Sequence, residues 1–165
     1  MATDVRHEDA AKPLLQSYDF EQSPGYWLIL AARAYQKAFD EELAPYHLTY
    51  RQAQVLGWLV LEGSLSQVEL ADRMMIEPAT LVGVLDRMER DGLIYRTTVS
   101  SDRRKKKIQI SESAGEVWGN VIASAKRVRS RATAGLSDRQ LKAFFKMLQT
   151  IMGNLENSSR KAESK

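Results

Sequence analysis

The sequence predicts a mainly α-helical fold of the α+β class, in which long helices flank a block of shorter helices and one β-hairpin. Apolar residues recur at helical spacing over most of the chain, and Ser or Thr capping residues precede most of the predicted helices. Apolar and polar residues alternate over residues 93–110, as in a hairpin. With 165 residues and 44% hydrophobic content, the chain is long enough for one domain with a substantial core.

The composition argues against several classes of protein. The chain has no Cys and only two His, so we expect no disulfide framework, no thiol redox sensor and no bound metal. No apolar run approaches the about 18 residues of a membrane span, and the first residues carry no export signal, so we expect a cytoplasmic protein. Phosphate-binding glycine loops, nucleophile elbows and paired-histidine motifs are absent from the sequence, so we expect neither an enzyme nor a cofactor.

Charge is unevenly distributed along the chain. Residues 1–95 hold 8 basic and 15 acidic residues, for a net charge of −7, whereas residues 96–165 hold 16 basic and 6 acidic residues, for a net charge of +10. A localised cationic surplus favours a polyanionic partner such as nucleic acid. Exposed helices that merely carry surplus Lys and Arg are the alternative.

Long helices are predicted before and after the central block. Residues 1–22 lack periodicity and are followed by Ser23-Pro24, so the segment 1–24 is expected to form a flexible arm or a short extra helix. The segment 25–48 predicts a helix with two buried faces, ended near Pro45.

Residues 112–156 predict two further helices, separated at Gly135. The last of them has a wide apolar face that includes Phe144 and Phe145, more than one packing partner needs, so a second copy of the chain is a reasonable acceptor. The polar tail 157–165 is expected to be frayed.

The central block, residues 49–111, has the order of a winged helix-turn-helix. Capping boxes at Thr49 and Ser66 open the second and third helices, and Pro78 suits the first turn of a fourth. The alternation over 93–110 then predicts a hairpin with a long, almost wholly cationic tip. In such a module the helix pair reads the major groove and the hairpin, or wing, reaches an adjacent minor groove or the phosphates.

The outward face of the fourth helix and the wing supply the predicted DNA contacts. The side chains on this helix face are small near its N-terminus, and a helix N-terminus favours phosphate. Thr80 can donate to a phosphate or a base, and Arg87 can reach a guanine. A solvated helix face is the simpler alternative for this helix taken alone. The predicted DNA-binding residues are Ser66, Pro78, Ala79, Thr80, Gly83, Arg87, Asp102, Arg103, Arg104, Lys105 and Lys106.

Five consecutive cations, Arg103 to Lys107, follow Asp102 on the wing. Like charges at a hairpin tip repel one another unless an anion is bound, so the phosphate backbone is their natural partner. A solubilising edge that resists strand pairing, or a nuclear-localisation run, is the alternative interpretation.

Two segments carry a resemblance to a known family. LVGVLDRMERDGLIYR at residues 81–96 and SDRRKKKIQIS at residues 101–111 resemble the MarR family of bacterial transcriptional regulators, most closely its SlyA-like branch, and the resemblance extends over about residues 25–156. It implies a homodimer whose first, fifth and sixth helices, here 25–48 and 112–156, form the dimerisation region. Two winged domains would then bind double-stranded DNA at a pseudo-palindromic operator.

The family motif also assigns roles to particular residues. Asp102 and Arg104 match the wing pair, in which the arginine is expected in the minor groove and the aspartate helps to hold the tip. Gly83 stands where SlyA-like members often have arginine, so a base contact worth about 1–3 kcal/mol of discrimination would be missing. Met75 replaces the usual turn glycine, and Met74 and Met75 are both expected in the core.

The resemblance further implies a small aromatic or phenolic anionic effector, bound between the dimerisation and winged regions. Arg33 matches a first-helix arginine near that crevice and could pair with a carboxylate. Trp27, His47 and Trp58 could stack or form hydrogen bonds there. The alternative is that both tryptophans belong to the core and that His47 is solvated.

The leading hypothesis is therefore a dimeric, sequence-specific transcriptional regulator, a repressor released by such an effector. The first alternative is an architectural or anti-silencing DNA binder with weak sequence preference, suggested by Gly83 and the lysine run. The second is a winged module that binds an acidic protein surface instead of DNA.

Overall fold

The helices and the hairpin occur in the predicted order. The computed structural model describes residues 19–99 and 102–163. Its elements are α1 (Pro24–Leu43), α2 (Tyr50–Glu62), α3 (Gln67–Met74), α4 (Pro78–Arg90), β1 (Ile94–Val99), β2 (Asp102–Ile110), α5 (Gly115–Ala132) and α6 (Asp138–Glu163). The mainly α fold with one two-stranded sheet is thus confirmed. Within the described ranges, no helix is long and apolar enough to cross a membrane.

The helices begin where the capping residues predict. The Thr49 hydroxyl accepts from the Gln52 N–H at 3.3 Å, and the Gln52 side chain accepts from the Thr49 N–H at 2.9 Å. Ser66 and Glu69 form the same reciprocal pair at the start of α3, and Ser137 opens α6 in this way too. These boundaries were predictable because each cap satisfies N–H groups that have no acceptor inside the helix.

The described chain divides into two compact units, one ending at Ser124 and the other beginning at Ala125. The core of the first unit is built from the C-terminal end of α1, from α2, α3 and α4, and from both strands. Its fully buried side chains include Leu43, Leu56, Leu59, Leu70, Leu81, Leu85, Met88, Ile94 and Ile108. The Ser124 hydroxyl, also buried, donates to the Glu42 carbonyl at 3.2 Å and so fastens the first part of α5 to α1.

The expectation of two buried faces on the first helix is wrong for the single chain. Phe39 and Leu43 are buried, but the N-terminal two-thirds of α1 is mostly exposed, with Trp27 at 56% and Ile29 at 57%. The apolar residues of this segment surround the helix, so one neighbouring element could not cover them all.

The predicted arm lies largely outside the described residues, which begin at Asp19. The last part of it forms a turn, because the Asp19 carboxylate accepts from the Glu21 N–H at 3.0 Å. The Trp27 indole N–H donates to the Glu21 carbonyl at 2.7 Å, which holds this turn against the start of α1.

The expectation of a long hairpin tip is also wrong. β1 and β2 pair antiparallel as far as Thr98 opposite Lys106, where the register shifts, and Val99 then pairs with Asp102. The whole cationic run, Arg103 to Lys107, therefore belongs to β2, with residues 103–105 in its irregular stretch. Polar side chains do not interrupt a ladder of backbone hydrogen bonds, so the alternation of apolar residues understates the length of an exposed strand.

The last helix is longer than predicted. α6 continues to Glu163, through most of the segment expected to be frayed. That segment contains neither Pro nor Gly, so nothing in its sequence stops the helix. Along α6 the apolar residues Phe144, Phe145, Met152 and Leu155 are exposed.

The turn between α3 and α4 contains a strained, exposed methionine. Met75 has φ of 51° and is 90% exposed, so the expectation that it belongs to the core is wrong, whereas Met74 is buried as expected. A residue with a Cβ is disfavoured in this left-handed conformation, which ends α3 where glycine is usual.

Met75→Gly is accordingly expected to raise the free energy of unfolding by about 1 kcal/mol. Met75→Ala is the matched control, because it removes the exposed side chain but keeps the Cβ and its strain. Chemical denaturation of both variants measures the difference, and equal stability of the two would contradict the strain at this position.

Candidate nucleic-acid interface

The outward face of α4 is small, exposed and largely uncharged near its start. Opposite the buried Leu81, Leu85 and Met88, the helix exposes the predicted residues Ala79, Thr80, Gly83 and Arg87. Pro78 occupies the first turn, which contains no acidic residue, although Glu77 precedes it as the N-cap. A backbone N-terminus with such short side chains can approach a phosphate or a base edge closely.

Gly83 leaves a gap in this face. A Cβ placed there would meet nothing within 4 Å, and the residue lies in ordinary helical conformation, so neither packing nor backbone geometry requires glycine. The position is therefore free to hold a longer side chain. As glycine, it has no side chain with which to contact a base.

Arg87 is available to bind an external anion. Its acidic neighbours on α4 are already engaged, since Asp86 and Glu89 both pair with Arg96. Among the described residues Arg87 itself makes no ion pair. Its guanidinium can thus bind phosphate or guanine without first breaking an intramolecular contact.

The helices α3 and α4, the predicted reading pair, are joined at their N-terminal ends. The Gln67 side-chain amide donates to the Pro78 carbonyl at 2.9 Å. The Ser66 hydroxyl, predicted as a DNA contact, caps α3 by accepting from the Glu69 N–H at 3.2 Å. The start of α4 is consequently held in a definite position relative to α3.

Two ion-pair clusters connect the wing to the helices. On β1, the Arg96 guanidinium donates to Asp86 at 2.7 Å and also to Glu89, both on α4. On β2, the Lys107 ammonium pairs with Glu69 of α3 at 2.5 Å. Burial opposes the charged form of Arg96, but its hydrogen bond to Asp86 and the nearby Glu89 outweigh that effect, so its pKa is raised.

A short backbone ladder attaches the wing to the rest of the unit. Leu65 pairs antiparallel with Ile108, through N–H to carbonyl distances of 3.1 and 2.7 Å. Both residues are buried, so β2 lies between β1 and the segment before α3. Sequence reasoning missed this bridge because a single paired residue has no alternating pattern.

Glu69 both completes the capping box of α3 and pairs with Lys107, and both contacts lower its pKa. The hydrogen bond from Lys107, followed by those from the Ser66 N–H and hydroxyl, holds the pKa of Glu69 at about 2. A carboxyl group whose pKa is depressed in the folded state stabilises the fold above its unfolded pKa. That contribution is lost as the pH falls from about 4.5 towards 2.

The Tm difference between the parent protein and Glu69→Gln should therefore be largest above about pH 5 and should shrink towards zero near about pH 2. Thermal melts followed by circular dichroism at several pH values measure it. Glu156→Gln, at an exposed position of α6, is the matched control. A Tm difference for Glu69→Gln that does not change with pH would contradict the assigned pairing.

The cationic run is divided by these contacts. Lys106 is exposed, whereas Lys107 is half-buried against Glu69. For Asp102, Arg103, Arg104 and Lys105, the structure describes only the backbone, which belongs to β2. The predicted pairing of Asp102 with the wing tip therefore lies outside the described side chains.

Comparisons with known proteins agree with this architecture. A sequence model of the MarR family matches residues 48–106, which contain the reading pair and most of the wing. The transcriptional regulator PA3341 is 31% identical, with a TM-score of 0.73 over 81% of this chain and 98% of its own. The chain belongs to the MarR family. Members of this family are DNA-binding transcriptional regulators and not enzymes, which confirms the predicted class of function.

More distant members of the MarR fold show the same architecture. BpsR of Bordetella bronchiseptica, whose DNA binding is regulated by 6-hydroxynicotinic acid, is 23% identical to this chain. The TM-score of the pair is 0.73, over 82% of this chain and 96% of BpsR. A mutant MarR from E. coli complexed with operator DNA is 17% identical with a TM-score of 0.71, over 77% of this chain and 91% of its own. At these identities the likeness shows the fold.

The predicted effector residues of this MarR family protein are not brought together by contacts within the described chain. Trp27 and Arg33 are exposed on α1, His47 is exposed in a left-handed conformation after α1, and Trp58 is half-buried on α2. Within the described ranges, no hydrogen bond, ion pair or ring contact joins any two of the four. The alternative of a core position is wrong for Trp27, because its N-terminal part of α1 has no cover in the single chain.

The part of the chain that the structure describes contains no group of three or more His, Asp or Glu side chains that could hold a metal ion.

Proposed function

We propose that this MarR family protein is a homodimeric, sequence-specific repressor that binds a pseudo-palindromic operator through α4 and the wing. The observation that carries the proposal is the exposed, small face of α4, whose Arg87 makes no ion pair within the described chain, in the same compact unit as the cationic strand β2. This combination matches a helix that enters the major groove beside a strand that tracks phosphates. Its place of action would be the bacterial cytoplasm, where the chromosome lies.

Exposed apolar helices support the homodimer. The N-terminal part of α1 exposes Trp27 and Ile29, and α6 exposes Phe144, Phe145 and Leu155. Large apolar side chains in such numbers are unfavourable in water and are commonly covered at an interface. A second copy of the chain offers the same two surfaces, and a twofold dimer presents two reading helices to two half-sites.

A small aromatic or phenolic anion is the proposed effector. Arg33 is exposed and makes no ion pair among the described residues, so it can bind a carboxylate. The ligand that regulates DNA binding by BpsR, 6-hydroxynicotinic acid, is an aromatic acid of this kind. Binding that favours a dimer with altered half-site spacing would release the operator.

Calorimetric titration with 6-hydroxynicotinic acid tests the effector proposal. Arg33→Gln should weaken the binding of this anion, whereas Lys37→Gln, an equal loss of charge at another exposed α1 position, should not. Equal affinities for all three proteins would contradict the role of Arg33.

The open position at Gly83 favours one alternative function, that of an architectural DNA binder with weak sequence preference. Without a long side chain at this position, phosphate contacts supply a larger share of the affinity. Such a protein binds all duplexes with similar, strongly salt-dependent affinity.

Fluorescence anisotropy with DNA from upstream of the protein's own gene, against a scrambled duplex of equal length, separates the two functions. At two salt concentrations, an affinity ratio above about a thousand establishes an operator-reading regulator. Equal and salt-sensitive binding to both duplexes establishes the architectural alternative. Absence of binding to either would contradict both and favour an acidic protein partner.

A further inference from the structure

We propose that Arg96 and Lys107 are positioning residues, which hold the wing at a defined orientation to the two reading helices and do not themselves contact DNA. The proposal rests on the proposed function, because it concerns how the DNA-binding surface is held. It divides the wing into an anchored base, held by Arg96 and Lys107, and a cationic stretch, residues 103–106, that would contact the phosphates.

Arg96 is committed to the reading helix. Its side chain is 20% exposed and binds two carboxylates, those of Asp86 and Glu89, which lie one turn apart on α4. The three charged groups together carry one net negative charge, so they do not attract a phosphate. A phosphate that approached Arg96 would have to displace two carboxylates already in hydrogen-bonding geometry.

Lys107 is committed in the same way to α3. Its ammonium lies 2.5 Å from Glu69, whose carboxylate also accepts from the Ser66 N–H in the capping box. Transfer of Lys107 to a phosphate would leave the Glu69 carboxylate near the DNA without its cation. Lys106, by contrast, is exposed and has no ion-pair partner among the described residues.

The two contacts act at the same level of the hairpin but on different strands. In the register of the sheet, Arg96 lies opposite Ile108 and Thr97 lies opposite Lys107. β1 is therefore tied to α4 and β2 to α3. Both contacts lie close to Ile108, whose backbone pairs with Leu65. Rotation of the hairpin about either contact is opposed by the other, which defines the direction in which residues 103–106 extend.

The test separates a positioning cation from a phosphate-binding cation by the salt dependence of operator binding. Each phosphate contact contributes about 0.9 to the slope of log affinity against log salt. Lys106→Met, the matched control, should reduce the slope by about this amount per contact. Arg96→Gln and Lys107→Met should lower affinity about tenfold and leave the slope unchanged, and Arg96→Lys should restore part of the loss.

Glu69→Gln sharpens the distinction. If Lys107 binds phosphate, removal of the neighbouring negative charge strengthens DNA binding, whereas loss of an anchor weakens it. In the Glu69→Gln background, Lys107→Met should cause no further loss, because both changes remove the same contact. A stronger-binding Glu69→Gln, or a smaller salt slope for Lys107→Met, would overturn the proposal and leave the DNA-binding function intact.

Amide hydrogen exchange provides a readout without DNA. Exchange in 94–98 and 106–110 should be faster in Arg96→Gln and Lys107→Met than in the parent, while the core amides of α2 keep their rate. Unchanged exchange in the strands would overturn the proposal even if the operator is unknown. If Arg96→Gln does not fold, Lys107→Met and Glu69→Gln carry the test, because both of their side chains are partly exposed.

Discussion

Phe144→Glu combined with Phe145→Glu is expected to convert the proposed homodimer into a folded monomer and to lower operator affinity by about a hundredfold or more. The two rings are 45% and 49% exposed in the single chain, so their replacement removes little from its own core. In a dimer, four buried carboxylates without partners would oppose association. A monomer binds one half-site and loses the gain from simultaneous binding of two.

Sedimentation velocity and anisotropy measure the two parts of this prediction. Lys142→Glu with Lys146→Glu is the matched control, because it alters charge even more on the same helix but at exposed polar positions. The control should remain dimeric. A Phe variant that is still dimeric, or a monomer with undiminished operator affinity, would contradict the proposed assembly.

Arg103→Gln combined with Arg104→Gln is expected to lower operator affinity about a thousandfold. A dimer would lose four arginines, and each is expected to contribute about 1 kcal/mol to the binding free energy. The salt slope should also shrink, by about one for each phosphate that is no longer bound. Of the pair, Arg104 matches the minor-groove arginine of the family motif, so its removal should also weaken the preference for the operator over a scrambled duplex.

Anisotropy at several salt concentrations measures both effects. Lys126→Gln with Arg129→Gln, at exposed positions of α5 outside the winged block, removes the same charge and should leave operator binding nearly unchanged. Equal reductions of affinity in the two double variants would show that only the total charge matters, which would favour the architectural alternative.

Helix boundaries and the buried face of α4 were predictable from the sequence because they depend on local interactions. A serine hydroxyl that caps the N–H group three residues later acts the same way in any fold, so Ser66 and Ser137 mark helix starts reliably. Spacing by three and four places Leu81, Leu85 and Met88 on one side of any helix. The exposed candidates Thr80 and Arg87 are then among the residues that remain on the opposite side of the helix.

The hairpin was only partly predictable. The alternation of Ile108 and Ile110 marks the part of β2 that faces the core, but beyond it every residue is polar, so the pattern ends before the strand does. The opposite error occurred at Met75, where an apolar side chain suggested burial. Its exposure follows from the left-handed turn at the end of α3, which directs the chain towards α4.

By itself, the sequence determined the class of fold, the order of its elements, the buried and exposed faces of α4 and the cationic character of the wing, because caps, periodicity and charge runs involve residues close together in the chain. Only the tertiary structure decided that Arg96 pairs with Asp86 and Glu89, that Lys107 pairs with Glu69, and that α1 exposes Trp27. Glu69 and Lys107 are separated by 38 positions. Contacts at such separation depend on strand register and on how elements pack, and no local pattern encodes either.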